Sequence, residues 1–314
     1  MAIPFRILSP NTNQRPKLAC EITPEGVIAA RQQNTEQAVM SFAPLAAGVI
    51  RPGLSEANFT DPAIVALALQ KALDEVSSRE KQLTLVVPDA AVRVLVLEFD
   101  TLPAKAQEAL PIVRFRLRKL MPFEVDDAAV SYQVMRQGQE QGQTHALVTV
   151  MPAAVRAEYE GAVRAAGYEP GVVMPSTLAS LAALTSNDAA LVVNRNGFTL
   201  TTAIAAGDEL LLHRTQELPA DEGQHQEEVV QSVSVARAYF EDTLKVLPEV
   251  VYYVGPGGAQ EFARLLEDGA GDETEDGLRV RDLVGGPAMG ASGAVGLSGA
   301  PRGLAAGVTG ALAS

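Results

Sequence analysis

Few residues in this chain have the types and spacing that do chemistry. One group is Gly255-Pro256-Gly257-Gly258, which joins the apolar run Val250 to Val254 to the helical pattern Ala259 to Leu266. A strand, a glycine turn and a helix in that order let backbone amides approach a phosphate or nucleoside closely. The same order also arises where a turn needs only glycine's backbone freedom. Both readings stand on the residues alone. A second group is Arg114, Arg116, Arg118 and Lys119, a basic cluster in a chain whose formal net charge is -13. These cations either complement the unpaired carbonyls at the end of a predicted helix or face an acidic partner or lipid head groups. Cys20, the single cysteine, sits inside an apolar strand. That predicts an inert core thiol and excludes an intramolecular disulfide or a cysteine-rich metal site. His145, His213 and His225 show neither ligand spacing nor a Ser/Asp constellation, so no metal site and no nucleophilic triad is predicted.

The elements that position these groups are clearest between Leu83 and Met135. Leu83 to Val87 reads as a strand ending at the turn pair Pro88-Asp89, and Val92 to Phe99 as the next strand. Thr101-Leu102-Pro103 opens a helix with Ala106, Leu110, Val113, Leu117 and Leu120 at helical spacing, ended by Pro122; Pro111 either kinks it or moves its start to Leu110. Ala129 to Met135 is a third strand. Upstream, Lys17 to Thr23 and Gly26 to Gln32 form a hairpin around Pro24-Glu25-Gly26, and Met40 to Phe59 reads as irregular. Asp61-Pro62 then caps a helix to Ser77 with Ile64, Leu67, Ala68, Ala72 and Val76 on one face. Downstream come a strand at Ala146 to Met151, a helix at Pro152 to Ala166 stopped by Gly167, a strand at Tyr168 to Met174 and a short helix at Pro175 to Leu184. A three-strand meander follows at Ala190 to Val193, Phe198 to Ala205 and Glu209 to Arg214. Glu227 to Val246 is a long amphipathic helix. Glu267 to Gly277 reads as a solvated acidic loop, and Gly285 to Ser314 as a flexible segment leading into a small-residue helix.

At 314 residues the chain exceeds one small core and predicts two packed lobes or a domain with an inserted subdomain. A composition of 47% hydrophobic and 20% charged residues belongs to a soluble globular protein. There is no long uninterrupted apolar run, and the start MAIPFRILSPNTNQRP lacks a signal-peptide core, so a cytoplasmic protein without direct membrane insertion is expected. A pI near 4.8 argues against nucleic acid as the partner, because phosphate neutralisation needs a basic surface. Strands around a turn followed by a helix occur in an early and a late version.

Two related lobes of this kind, a late glycine turn and a small inserted subdomain resemble the actin and hexokinase ATPase fold, and more narrowly the PilM family of type IV pilus assembly proteins. The opening hairpin, Pro44 to Lys71, KLMPFEVDDAAVSYQVM, AAGYEPGVVMPSTLASLAAL, EEVVQSVSVARAYFEDTLKVLPEVVYYVG and GLAAGVTGAL follow the family's order over nearly the whole chain. The resemblance implies an α/β, actin-like (ribonuclease H-like) two-lobed fold with a small inserted α+β subdomain. Residues 1–80 would open the first lobe, 81–166 form the inserted subdomain, and 167–314 form the second lobe and a C-terminal helix packing back on the first.

By the same resemblance, Glu21, Thr23 and Gly26 take the positions of a first phosphate turn, Asn194, Asn196 and Gly197 those of a second, and Gly255, Gly257 and Gly258 those of a nucleoside turn for ATP with Mg. The family's turns have the form Asp-x-Gly, whereas this chain has Glu21-Ile22-Thr23-Pro24-Glu25-Gly26 and Asn194-Arg195-Asn196-Gly197. Pro24 has no amide hydrogen to donate, Glu25 brings like charge toward phosphate, and the second carboxylate is gone. Removing one charged or backbone interaction with a buried phosphate costs about 1.5 to 3 kcal/mol, so two or three removals take away powers of ten in affinity. ATP hydrolysis is therefore expected to be absent, with no catalytic residue and no metal site. The implied role is a scaffold peripheral to the inner membrane. It would bind the cytoplasmic tail of a PilN-like protein, and other pilus platform proteins, in a groove near Arg118, Leu120 and Phe123; a core role for Leu120 and Phe123 is the other reading. Charge reversal at Arg118 is expected to weaken that association more than reversal at Arg302. Homo-oligomerisation stays open. The competing readings are an active ATPase or kinase with nucleotide-dependent switching, and a type II secretion platform protein, which would continue into a membrane span where this chain stops at Ser314.

Overall fold

The computed structural model describes residues 15–33, 38–55, 57–77, 79–136, 143–186, 188–270, 278–284 and 303–313. Its first sheet has the order β3-β2-β1-β4-β8. Strands β1 (Leu18–Thr23), β2 (Gly26–Gln32) and β3 (Ala38–Pro44) form an antiparallel meander; β4 (Gln82–Val87) and β8 (Glu169–Pro175) continue from β1 in parallel. All six residues of β1 are buried, as a central strand covered on both faces requires. On one side lie α1 (Pro62–Val76) and α3 (Ala153–Ala165); on the other lie α4 (Ser176–Leu181) and α7 (Ala306–Ala313). Asp61 caps α1 by accepting from Ala63 N at 2.9 Å, with Pro62 in the first turn where a missing amide costs nothing. The buried stripe of α1 is Val65, Ala68, Leu69, Ala72, Leu73 and Val76, while Ile64 and Leu67 are exposed. Ala68, Ala72 and Val76 lie on the buried face as expected, and Val65, Leu69 and Leu73 complete it in place of Ile64 and Leu67.

The second sheet repeats the plan. Its order is β11-β10-β9-β12-β13, built from β9 (Ala190–Asn196), β10 (Thr199–Ala206), β11 (Glu209–Glu217), β12 (Val250–Val254) and β13 (Arg279–Asp282). Again three antiparallel strands are followed by two parallel ones. Helices α5 (Glu222–Leu244) and α6 (Gly258–Ala270) pack against it and each other.

The inserted unit is a three-stranded antiparallel sheet, β5 (Arg93–Phe99), β7 (Thr144–Met151) and β6 (Ala129–Arg136) in that order, with α2 (Ala106–Leu117) against it. It therefore spans Arg93 to Met151, less than the expected 81–166. Strand β4 pairs with β1, and α3 packs on α1 and β8, so both belong to the first lobe. Pro88-Asp89 leads into a 3-10 turn, Asp89–Ala91, and β4 and β5 lie in different sheets rather than forming a hairpin. Helix α2 starts at Ala106 and carries Pro111 inside it; Ala109, Val113 and Leu117 are buried, and Leu120 is exposed. Arg114 fastens the return loop by donating to the carbonyls of Val125, Asp126 and Ala128.

One hydrophobic cluster joins both lobes, running from Leu18, Ile22 and Leu85 to Val192, Ala203, Ala205 and Val254. The inserted unit also touches the second lobe, where Leu210 N donates to Met135 Sδ at 3.3 Å. No described helix is long and apolar enough to cross a membrane. Most of the expected acidic loop at 267–277, most of the segment from Gly285 to Ser314, and Arg302 lie outside the described residues.

Candidate functional site

Strands β1 and β9 are the middle strands of their sheets, and both end at the seam between the lobes. The turns that follow them face each other. Gly197 has φ 58, a left-handed turn conformation that favours glycine. A Cβ built on Gly197 would stand 2.9 Å from Pro24 Cγ, so the two turns touch. Across that junction Glu25 Oε1 accepts a hydrogen bond from Gly197 N at 3.2 Å. The third turn joins them: a Cβ on Gly255 would lie 2.9 Å from the carbonyl oxygen of Arg195. The structure thus brings Glu21, Thr23, Gly26, Asn194, Asn196, Gly197, Gly255, Gly257 and Gly258 to one place. It does so with the turns packed on one another.

The first and third turns make hydrogen bonds within themselves, while Glu25 Oε2, Arg195 Nε and Asn196 Oδ1 are buried at the seam without a hydrogen-bond partner among the described residues. Thr23 Oγ1 donates to Gly26 O at 3.0 Å and accepts from Gly26 N at 3.2 Å, closing its own hairpin. Gly26 lies directly under the Phe42 ring and the Ala43 carbonyl of β3, which leaves no room for a side chain. At the third turn the Glu261 carboxylate folds against Gly257, and Tyr253 Oη donates to Pro256 O at 3.1 Å. Asp282 Oδ1, at the end of β13, accepts from Ala259 N at 2.7 Å. The start of α6, where amides are free to bind an anion, thus already holds one of the chain's own carboxylates.

Beneath the turns lies a buried polar network that the local sequence did not reveal. Glu21 on β1 accepts from Ser176 Oγ at 2.6 Å, and Asp89 accepts from Thr177 N at 3.1 Å and from the Thr177 hydroxyl. Asn194 Nδ2 donates to Ser176 Oγ at 2.9 Å, to Thr177 Oγ1 at 3.0 Å and to Asp89 Oδ2 at 3.5 Å. A carboxylate at 194 would have no proton to donate, so the amide matches these acceptors. Ser176 and Thr177 read locally as ordinary residues at a helix start, and Asp89 as a turn residue. Only the parallel pairing of β4 with β1 and β8 places them beside Glu21.

Electrostatics argue against a metal-phosphate group here. The Glu21 carboxyl is pushed up to about 8, chiefly by burial, with Asp89 and Glu25 adding to the rise and the bonds from Ser176 and Val308 opposing it. Burial therefore favours its protonated form around neutral pH. Burial likewise pushes Tyr253 upward; Glu261, Glu25 and Asp282 reinforce the shift and Arg195 opposes it. Among the described residues the seam thus gathers Glu21, Glu25, Glu261 and Asp282 around a single cation, Arg195, whereas a nucleotide calls mainly for donors and positive charge. Among the described residues no group of three or more His, Cys, Asp or Glu could hold a metal ion. Cys20 is fully buried and its thiol is pushed upward by that burial. His145, His213 and His225 lie apart on β7, β11 and α5.

Arg118, Leu120 and Phe123 are away from the seam, just beyond α2. Arg118 Nη2 bonds Asp126 at 2.6 Å on the surface, Leu120 is exposed, and Phe123 packs partly into the inserted core.

No protein-family model matches the chain, and no curated protein matches it. The fold is similar to a chain of the PilM-PilN type IV pilus biogenesis complex, with a TM-score of 0.68 and 17% identity over 88% of this chain and 90% of that one. It is also similar to the cytoplasmic domain of EpsL, an inner-membrane component of the type II secretion system of Vibrio cholerae, with a TM-score of 0.51 and 12% identity over 87% of this chain and 90% of that one. The chain thus shares the fold of that pilus-complex chain, α/β with two related sheets and an inserted three-stranded unit.

Proposed function

We propose that the chain is a cytoplasmic scaffold of an inner-membrane platform of the type IV pilus class, holding the cytoplasmic tail of a PilN-like membrane protein and no longer hydrolysing ATP. The observation that carries the absence of hydrolysis is the junction between the two phosphate turns, in which Glu25 occupies the Gly197 amide. A phosphate entering there would have to displace a carboxylate and part Pro24 from Gly197. It would meet a Glu21 whose burial favours the protonated form. Each amide or charge withheld from phosphate costs about 1.5 to 3 kcal/mol, and three together approach the whole binding energy of a micromolar nucleotide, about 8 kcal/mol.

What supports the scaffold reading is the likeness of fold to a chain of the PilM-PilN complex. An extended tail bound in a groove needs no catalytic group. Leu120, exposed beside the inserted core, offers an apolar contact, and Arg118 a charge whose present partner, Asp126, is on the surface and therefore weakly held. The likeness to the EpsL cytoplasmic domain favours a second partner class, the equivalent platform of a type II secretion system.

Calorimetric titration tests this reading. The protein is titrated with Mg-ATP and with the cytoplasmic tail peptide of the candidate membrane partner. Tail binding without nucleotide binding is the expected result, and Leu120→Glu should weaken it at least tenfold more than Leu247→Glu, a change at a similarly exposed site on the second lobe. Micromolar Mg-ATP affinity with turnover would overturn it in favour of an ATPase. Equal effects of the two substitutions would remove the tail from the inserted subdomain.

A further inference from the structure

Proteins with two lobes commonly close around a ligand and open without it, because the ligand's contacts to both lobes exist only in the closed form. This chain carries such a contact within itself. Glu25 leaves the first turn, crosses the seam and accepts from Gly197 N, joining residues 172 positions apart. The Pro24 ring fills the space beside it. On the second lobe the anion position at the start of α6 is taken by Asp282. Gly303 lies against Gly255 with the Gly255 N to Gly303 O bond at 3.3 Å, so the segment leading into α7 of the first lobe is tied to the third turn. Carboxylates thus sit at two amides that an oxyanion would otherwise occupy, and one of them spans the lobes.

We propose that Glu25 is an internal stand-in for an anionic ligand: its carboxylate latches the facing turns of the two lobes together, so the closed arrangement is favoured without nucleotide. The proposal rests on the scaffold reading above and adds how that scaffold is regulated, namely that its closed state is favoured. The lobes also share a hydrophobic cluster and the Asn194 network, so the contribution of Glu25 is that of one charged acceptor on a backbone amide, and its removal should shift the closed-to-open ratio by roughly tenfold. Glu25 is only partly buried, so replacing it leaves the core intact.

The test uses the full chain with spin labels on cysteines introduced at Gln70 of α1 and Gln231 of α5, both exposed; the buried Cys20 does not compete for label. Pulsed dipolar distances should give one narrow distribution in the wild type, unchanged by Mg-ATP. Glu25→Ala should broaden it toward longer distances, and Glu25→Gln, which keeps a neutral acceptor for Gly197 N, should restore most of the narrow population. Identical distributions for wild type and Glu25→Ala would overturn the latch, as would narrowing of the wild type by Mg-ATP. Titrating the same samples with tail peptide separates the two ideas. A wild type that stays narrow but binds no tail refutes the scaffold and keeps the latch; tail binding with an unaltered Glu25→Ala distribution does the reverse.

Discussion

Replacing Glu21 by Gln should change how stability varies with pH more than it changes stability itself. The carboxyl is buried between β1 and α7, with Gly307 packed directly on it, and is pushed up to about 8 from an ordinary 4.5. The folded state therefore holds a proton that the unfolded state releases. Below the ordinary value both states are protonated and no stability is forfeited. As pH rises from there toward about 8 the unfolded chain gains by ionising and the folded chain cannot follow; above about 8 both are ionised and the penalty is complete. At about 1.36 kcal/mol per unit, the full shift corresponds to roughly 5 kcal/mol, of which about 3 to 4 falls between pH 5 and pH 8. Gln cannot titrate. Its amide is insensitive to pH, although its extra donor facing Gly307 adds a constant cost of about 1 to 3 kcal/mol. The stability of Glu21→Gln minus that of the wild type should thus rise by about 3 to 4 kcal/mol across that interval, about 7 °C or more in relative Tm. Urea unfolding followed by circular dichroism at half-unit pH steps measures the difference, because every titrating group not coupled to residue 21 cancels. Parallel pH profiles would show that Glu21 is ionised in the fold, and the argument against a cation at the seam would fall with it.

Asn194→Asp removes the donor to Ser176, Thr177 and Asp89 and sets a second carboxyl beside Asp89; it should cost about 2 to 4 kcal/mol at pH 8 and less at pH 5, where the new acid keeps its proton. Thermal melts at the two pH values check the sign, and a variant melting with the wild type at pH 8 would contradict the network. Gly310→Ala would drive a methyl into the Ala179 carbonyl where α7 crosses α4, a clash between two backbones that neither can relieve by a rotamer change. A destabilisation of about 3 kcal/mol or more is expected in urea titration.

Local pattern carried much of the fold. The β1-β2 hairpin, the β9-β10-β11 meander and the Asp61-Pro62 start of α1 announce themselves through turn chemistry and capping, which act over a few residues. Strand β3 did not, because its run Ala38–Pro44 precedes a Pro- and Gly-rich stretch that lowers any strand expectation; beyond Pro44 the chain is irregular as predicted, and Glu158 of α3 accepts from the amides of Asn58 and Phe59 at 2.9 Å each. Strand β13 reads Arg-Val-Arg-Asp, charged rather than apolar, and is recognisable only as an edge paired to β12. Helix α5 begins at Glu222, ahead of the expected Glu227, at a cap formed by Asp221 on Gln224 N. The turns of the site were legible one by one. Their meeting was not, since Glu25 reaching Gly197 and Asn194 reaching Asp89 depend on where two sheets are set by the whole topology.

The helix α7 has a consequence for the order in which the chain can acquire its shape. Leu304, Ala305, Val308 and Ala311 pack with Ala19, Ile28, Met40 and Val86 in one cluster, so the opening strands bury their second face against residues made nearly three hundred positions later. During synthesis the meander must wait, that apolar face uncovered, until residues 304 to 311 have left the ribosome. Contacts of such sequence separation are formed late and slowly. A ribosome stalled before codon 304 would carry a half-built lobe, its apolar face open to proteases and to other chains.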